Sequence, residues 1–209
     1  MKIAIIGTGQ VAAALGVGWA ARGHTVTFAS RGPETGRVQA LLDRIGPNVT
    51  AAPPADAAGR SSVIVLAVPF TAVQESLQAA GDLGGKVIID CTNPIAPGLR
   101  SLFDDTTSGA EQIAAWSPRA RVVKAFNTTG AENMVDPVYG GRPATMFMCG
   151  DDGPAKGAAA QLAEELGFEV VDAGDLTAAR HLEHLALAWI HLANVAGLGR
   201  DIAFRLERR

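Results

Sequence analysis

The chain has 209 residues, 48% of them hydrophobic, with two cysteines and a formal net charge of −3. This is a globular composition, sized for one domain spanning 1–209, and it excludes a disordered chain. With no run of like charge and no apolar stretch of the ~18–20 residues that cross a bilayer, it also argues against nucleic-acid and membrane partners.

The start, MKIAIIG, reads as a strand and lacks the apolar region and cleavage site of a secretory leader, so a cytoplasmic location is expected. Cys91 and Cys149 fit a reducing compartment without a disulfide framework. Strands are predicted at 2–6, 25–29, 63–68, 86–90, 121–126, 145–149 and 168–172. Most are continuously apolar, as strands buried on both faces are. Helical patterns fall at 10–22, 34–45, 70–80, 109–116, 154–166 and 177–196. Alternation of the two predicts an α/β fold, a doubly wound and mainly parallel sheet, with the C-terminal strands and helix packed on the same domain. The stretch 91–108, rich in Pro, Thr and Asp, reads as a loop across the sheet.

The first strand runs into Gly7-Thr8-Gly9-Gln10-Val11-Ala12, a G-x-G-x-x-A spacing at a strand-to-helix turn. The first glycine permits the turn, the second lets backbone approach a pyrophosphate, and the small third residue lets helix pack on strand. The amides and dipole of the helix that follows then face an anion. The second strand ends Ala29-Ser30-Arg31-Gly32, without the carboxylate that would hold a ribose 2′-hydroxyl. Ser30 can instead donate to a 2′-phosphate, and Arg31 can pair with it and stack on adenine, which points to NADP(H). The third apolar strand stops at Ala67-Val68-Pro69 because proline cannot continue a ladder. The turn it forces lies at the carboxyl edge, where ligands of open α/β sheets bind. Thr92 and Asn93 end the next strand and can hydrogen-bond ribose or nicotinamide.

GTGQVAAALG, the Ser30–Arg31 pair, AVPF, DCTNP, VVKAFNT, FMCGDD and AARHLEHLALAWIHLA together resemble the NADPH-dependent reductases of the deazaflavin coenzyme F420. They are similar too to the cytosolic reductase domain of the six-transmembrane metalloreductases. The resemblance spans nearly the whole chain and implies a Rossmann-type, NADP(H)-binding oxidoreductase that passes hydride between NADP(H) and F420, with an NADPH:flavin or ferric reductase as the alternative and a non-catalytic NADP(H) sensor as a further one. It implies that Gly7 to Val11 and Ser30–Arg31 hold the adenine end, with Ala67, Val68 and Pro69 near the nicotinamide. It also implies an acceptor cleft built by about 120–209, with Asn127, Thr128, Leu198 and Gly199 against the acceptor, and a homodimer as the assembly. Asn127 departs from the histidine of dedicated archaeal F420 reductases and agrees with the metalloreductase-like members. The lysine that often follows the Ser-Arg pair is missing, and Arg37 alone could take its role.

Hydride transfer between flat rings needs near-attack geometry more than an acid or base, so no catalytic side chain is expected. A metal is not expected either. His181, His184 and His191 fall near one helical stripe, but no Cys or Asp joins them, and they read as a polar edge beside buried Leu182, Leu185, Trp189 and Leu192. Arg180 and Glu183 read as a local ion pair or a tie to the sheet. Cys91 reads as a small buried hydrophobe, with a redox role as the alternative. Helix 177–196 is apolar nearly all round, which predicts burial on more than one side, with Trp189 a natural seam residue for a partner subunit.

Overall fold

The computed structural model describes residues 1–103 and 105–209. Its strands are β1 (Lys2–Ile6), β2 (Thr25–Ala29), β3 (Val49–Ala52), β4 (Val63–Leu66), β5 (Val87–Asp90), β6 (Ile95–Ala96), β7 (Arg100–Ser101), β8 (Arg121–Lys124), β9 (Val138–Tyr139), β10 (Arg142–Pro143), β11 (Thr145–Gly150) and β12 (Glu169–Asp172). Its α-helices are α1 (Gln10–Ala21), α2 (Gly36–Ile45), α3 (Pro54–Gly59), α4 (Val73–Ala80), α5 (Gly109–Trp116), α6 (Gly153–Glu165) and α7 (Ala179–Ile190).

Eight strands form one sheet in the order β12-β11-β8-β5-β4-β1-β2-β3. All neighbours are parallel except β8 and β11, which run antiparallel where Cys149 faces Lys124. From β1 the chain winds outward through β2 and β3, then returns to pair β4 with the other side of β1. Winding therefore reverses between β1 and β4, and a crevice opens beyond their carboxyl ends. The predicted doubly wound, mainly parallel α/β sheet is the observed fold.

Strand alternation sends side chains to two cores. Ile3 and Ile5 join α1 and α6 residues such as Leu15, Trp19 and Leu162 on one face. Ala4 and Ile6 join Leu77 of α4, Ile113 of α5 and Leu182 of α7 on the other. Trp19 anchors the first core: its Nε1 donates to the Leu162 carbonyl at 3.0 Å, and its ring meets Phe126 edge-on at 5.7 Å. Phe126 in turn meets Phe168 edge-on at 6.4 Å. This packing holds Phe126 in a left-handed backbone conformation at φ 61°, a state that costs a non-glycine residue about 1–3 kcal/mol.

Several expectations change in detail. Strand β3 and helix α3 occupy 49–59, where no element was predicted. Predicted helix 70–80 begins with a 3-10 turn, Phe70–Ala72. Predicted loop 91–108 contains the β6–β7 pairing. Helix 177–196 divides into a 3-10 turn, α7 and a π-helical turn at His191–Val195. Its buried residues, Ala179, Leu182, Glu183, Ala186 and Trp189, make a single stripe, so it is not buried on more than one side. Trp189 is covered within its own chain, because the segment after the π turn folds back and Trp189 Nε1 donates to the Ile202 carbonyl. It is therefore not a free seam. Among the described residues no helix is long and apolar enough to cross a membrane.

Replacing Trp19 with alanine should cost about 3–5 kcal/mol by emptying this core. Thermal denaturation followed by circular dichroism should show Tm falling by roughly 10 °C.

Candidate functional site

The crevice between the ends of β1 and β4 is a cleft of about 530 Å³. Gly7, Thr8, Gly9, Ser30, Arg31, Ala67, Val68 and Pro69 all line it, so eight of the expected cofactor residues converge there. Gln10 and Val11, also expected on the cofactor, are in the first turn of α1 and are not among the residues that line the cleft.

The two glycines have different reasons to be there. Gly7 has φ +126°, and a Cβ on it would stand 2.3 Å from the Ala67 carbonyl oxygen. The fold itself therefore forbids a side chain at Gly7. Gly9 has an ordinary extended backbone, φ −79°, and a Cβ on it would meet nothing within 4 Å. No protein atom asks for glycine at that position; open space lies over it.

The amino end of α1 makes the same point. Its N-cap, Gly9, offers no side-chain oxygen, and the first turn holds no carboxylate. Helices α5 and α6 are capped by Ser108 and Asp152, whereas α2, α3, α4 and α7 share the uncapped start, so what sets α1 apart is the cleft at its end. Uncapped amides at a helix start keep their donors and the positive end of the dipole for an anion. The residues present thus fit the pyrophosphate of a dinucleotide.

At the far wall, Ser30 Oγ accepts from Gly32 N at 3.2 Å, which leaves its own proton free to donate. Arg31 crosses the cleft mouth and donates to Glu75 of α4 at 2.9 Å. Both side chains are largely exposed, so this pair holds Arg31 only weakly. Arg37 lines the same wall and places a second guanidinium on it. The expected carboxylate-free end of β2 therefore carries cationic groups suited to a phosphate.

Thr92 and Asn93, expected on the cofactor's ribose or nicotinamide, lie outside this cleft, as do the expected acceptor residues Asn127, Thr128, Leu198 and Gly199. Thr92 is buried, and both its amide and its hydroxyl donate to Asp90 Oδ1 at 2.9 and 2.7 Å. Asn93 and Asn127 form a reciprocal pair: Asn93 Nδ2 donates to the Asn127 carbonyl at 3.0 Å, and Asn127 Nδ2 to Asn93 Oδ1 at 3.1 Å. Thr128 is buried beside them, whereas Leu198 and Gly199 are exposed beyond the π turn. Arg200, next in the chain, pairs with Glu132 at 2.7 Å and so brings that segment to the turn after Thr129.

Residue patterns alone missed the charged group beneath this edge. Lys124 ends β8 with 0% exposure and donates to Asp90, to the Thr92 carbonyl and to Glu183. Glu183 is therefore a tie to the sheet. Arg180 does not pair with it but forks onto Glu111 at 2.9 and 2.5 Å. A lysine inside an apolar strand and an aspartate at the end of its neighbour were the signal, since such charges enter a core only in partnership.

Cys91 is buried, and desolvation pushes its thiol well above the ordinary range, so it remains a protonated small hydrophobe. Burial likewise pushes Cys149 up to about 12. His181, His184 and His191 are exposed, and no group of three His, Cys, Asp or Glu among the described residues could hold a metal ion.

Fold and cleft together define a dinucleotide-binding protein. Residues 2–94 match the family described as NADP oxidoreductase, coenzyme F420-dependent. A crystal structure from Arthrobacter sp. FB24, named as a candidate F420-dependent NADP-reductase, is 35% identical, with both chains covered over 100% and a TM-score of 0.91. The metalloreductase STEAP3 of Rattus norvegicus is 30% identical over 188 residues, 89% of this chain. The chain spans only 36% of that relative's length. A reductive aminase from Aspergillus terreus in complex with NADPH shares the fold at a TM-score of 0.69, with 22% identity, 94% of this chain and 63% of the other being covered. The chain belongs to the family of coenzyme F420-dependent NADP oxidoreductases, and it is an NADP-dependent oxidoreductase.

Gly9→Ala should leave Tm nearly unchanged while weakening NADPH at least about tenfold, as a methyl fills the phosphate cradle. Gly7→Ala should instead destabilise the fold, since its backbone disfavours alanine and its Cβ has no room. Paired melting and fluorescence titration distinguish the two.

Proposed function

We propose that this chain transfers hydride between NADP(H) and a flat-ring acceptor, with the deazaflavin coenzyme F420 as that acceptor. The observation that carries the cofactor half is the cleft at the β1–β4 reversal, with open space over Gly9, uncapped α1 amides and the Ser30, Arg31 and Arg37 wall. The full-length likeness to the Arthrobacter protein supports F420. Bound there, the dinucleotide supplies a hydride from its nicotinamide ring, and the acceptor takes that electron pair together with one proton from solvent.

The chain's own work is binding and alignment. Gly9 and the α1 amides take the pyrophosphate, and Ser30 with Arg31 takes the 2′-phosphate in place of Glu75. Gly7, Ala67, Val68 and Pro69 shape the turn that directs the nicotinamide toward the ends of β4 and β5. Asn93 lies next along that edge and holds the ribose or nicotinamide, and Asn127 and Thr128 beside it, with Leu198 and Gly199 on the segment that Arg200 ties to Glu132, align the acceptor. With no acid or base assigned, rate comes from holding the two rings in near-attack geometry.

Asn127, which agrees with the metalloreductase-like pattern, and the rat relative favour a second reading, an NADPH:flavin or ferric reductase. NADPH oxidation against F420, FMN, FAD and a ferric chelate separates them. Turnover with F420 alone is expected; turnover confined to flavin or iron establishes the second reading.

Arg31→Ala should weaken NADPH by about 10–100-fold, the worth of charge-assisted bonds to a phosphate, and change NADH far less. Equal losses for the two cofactors in steady-state KM would remove Arg31 from the 2′-phosphate site.

A further inference from the structure

Lysine is among the residues least often buried, yet Lys124 sits at the sheet's carboxyl edge without access to water. Its three ammonium protons have three acceptors: Asp90 Oδ2 at 2.8 Å, the Thr92 carbonyl at 2.6 Å and Glu183 Oε1 at 2.8 Å. Burial by itself would lower the ammonium's pKa. The two carboxylates outweigh it and hold the pKa above the ordinary value, so the group stays charged.

The carboxylates are satisfied in turn. Asp90 Oδ1 accepts from the amide and hydroxyl of Thr92. Glu183 accepts from Gly109 N at 3.0 Å and Ala110 N at 3.3 Å, at the start of α5. One ammonium thus joins the end of β5, the loop after it, the end of β8, α7 and, through Glu183, α5.

Such a cluster is poor value as a stabiliser, because desolvation cancels most of the attraction and apolar side chains of like volume do as well. Its position suggests a different use. Two residues past Asp90 and two past Lys124, the chain reaches Thr92–Asn93 and Phe126–Asn127. These two loops are tied by the reciprocal Asn93–Asn127 pair, and Asn127 Nδ2 also donates to the carbonyl of Leu182, the neighbour of Glu183. Phe126, between Lys124 and Asn127, holds its left-handed backbone at φ 61°. Asn127 Oδ1, beside these groups, is buried and has no hydrogen-bond partner among the described residues. An unmet buried acceptor destabilises the fold, a cost that a purely structural plug has no reason to bear.

We propose that Asp90, Lys124 and Glu183 are positioning residues for hydride transfer, fixing the loops at 91–93 and 126–128 against which the nicotinamide end lies. The proposal rests on the NADP(H) reading above. It separates two functions along one cleft: the β1–β2 side sets cofactor affinity, and the triad sets ring alignment.

The test uses Glu183→Gln and Asp90→Asn, each nearly isosteric and each removing one charge, with Lys124→Met as the harsher variant. NADPH affinity, the emission of its bound nicotinamide and Tm are measured in the binary complex, where no acceptor is needed. Wild type should bind NADPH and enhance that emission. In the isosteric variants emission enhancement should fall at least twofold while Kd stays within about twofold, since the adenosine half is untouched. With the acceptor that turns over in the panel, kcat should drop at least about tenfold at nearly constant KM for NADPH, as expected for misaligned rings. Unchanged emission and kcat would overturn the proposal. So would losses that follow Tm across all three variants, or a loss of affinity in step with turnover. Wild-type protein that does not bind NADPH overturns the cofactor reading and the triad's role with it, a result distinct from normal binding with unaffected variants.

Discussion

The close approach of Gly7 to the Ala67 carbonyl is the contact on which the rest depends. A Cβ there would stand 2.3 Å from that oxygen. Because the turn after β1 presses directly on the end of β4, the reversal in strand order becomes a shaped cleft instead of a gap. The start of α1 then points its uncapped amides into that cleft. The cleft of this chain is thus prepared by a steric fact about backbone, one that no charged residue could supply.

The other half of the carboxyl edge is arranged by charge. Lys124, Asp90 and Glu183 exclude water completely or nearly so, while Arg31 and Glu75 on the cleft rim remain largely exposed. The same pairing of signs has opposite consequences in the two places. On the rim it is weak and exchangeable, so a phosphate can replace the carboxylate. In the interior either partner alone would be an uncompensated buried charge, so the cluster does not yield.

How much of this was legible depended on whether the cause was local. The turn at Gly7–Gly9 was readable because a β run, two glycines and an alanine-rich helix all lie within sixteen residues. The cationic end of β2 was readable because an acid is missing there. Strand β3 was not, since VTAA is short and runs into Pro53 and Pro54, which look like a loop. The antiparallel setting of β11 has no local mark at all. It follows from the link between Lys124 and Thr145, which holds a 3-10 turn and the β9–β10 hairpin but no crossover helix. The partners of Arg180 and Glu183 were also out of reach, because Glu111 and Lys124 stand 69 and 59 residues away. The π turn hid inside a sequence that continues the helical pattern of α7 unbroken.

The spacing of these ties along the chain has a consequence for synthesis. Every residue lining the dinucleotide cleft lies at or before Ala79. The opposite edge needs Glu183, which emerges from the ribosome 59 residues after the lysine it neutralises. During translation, therefore, every cleft-lining residue has been made while Lys124 and Asp90 still await their third member. The residues that shape the cleft are thus all made more than a hundred residues before the interior cluster has its third member.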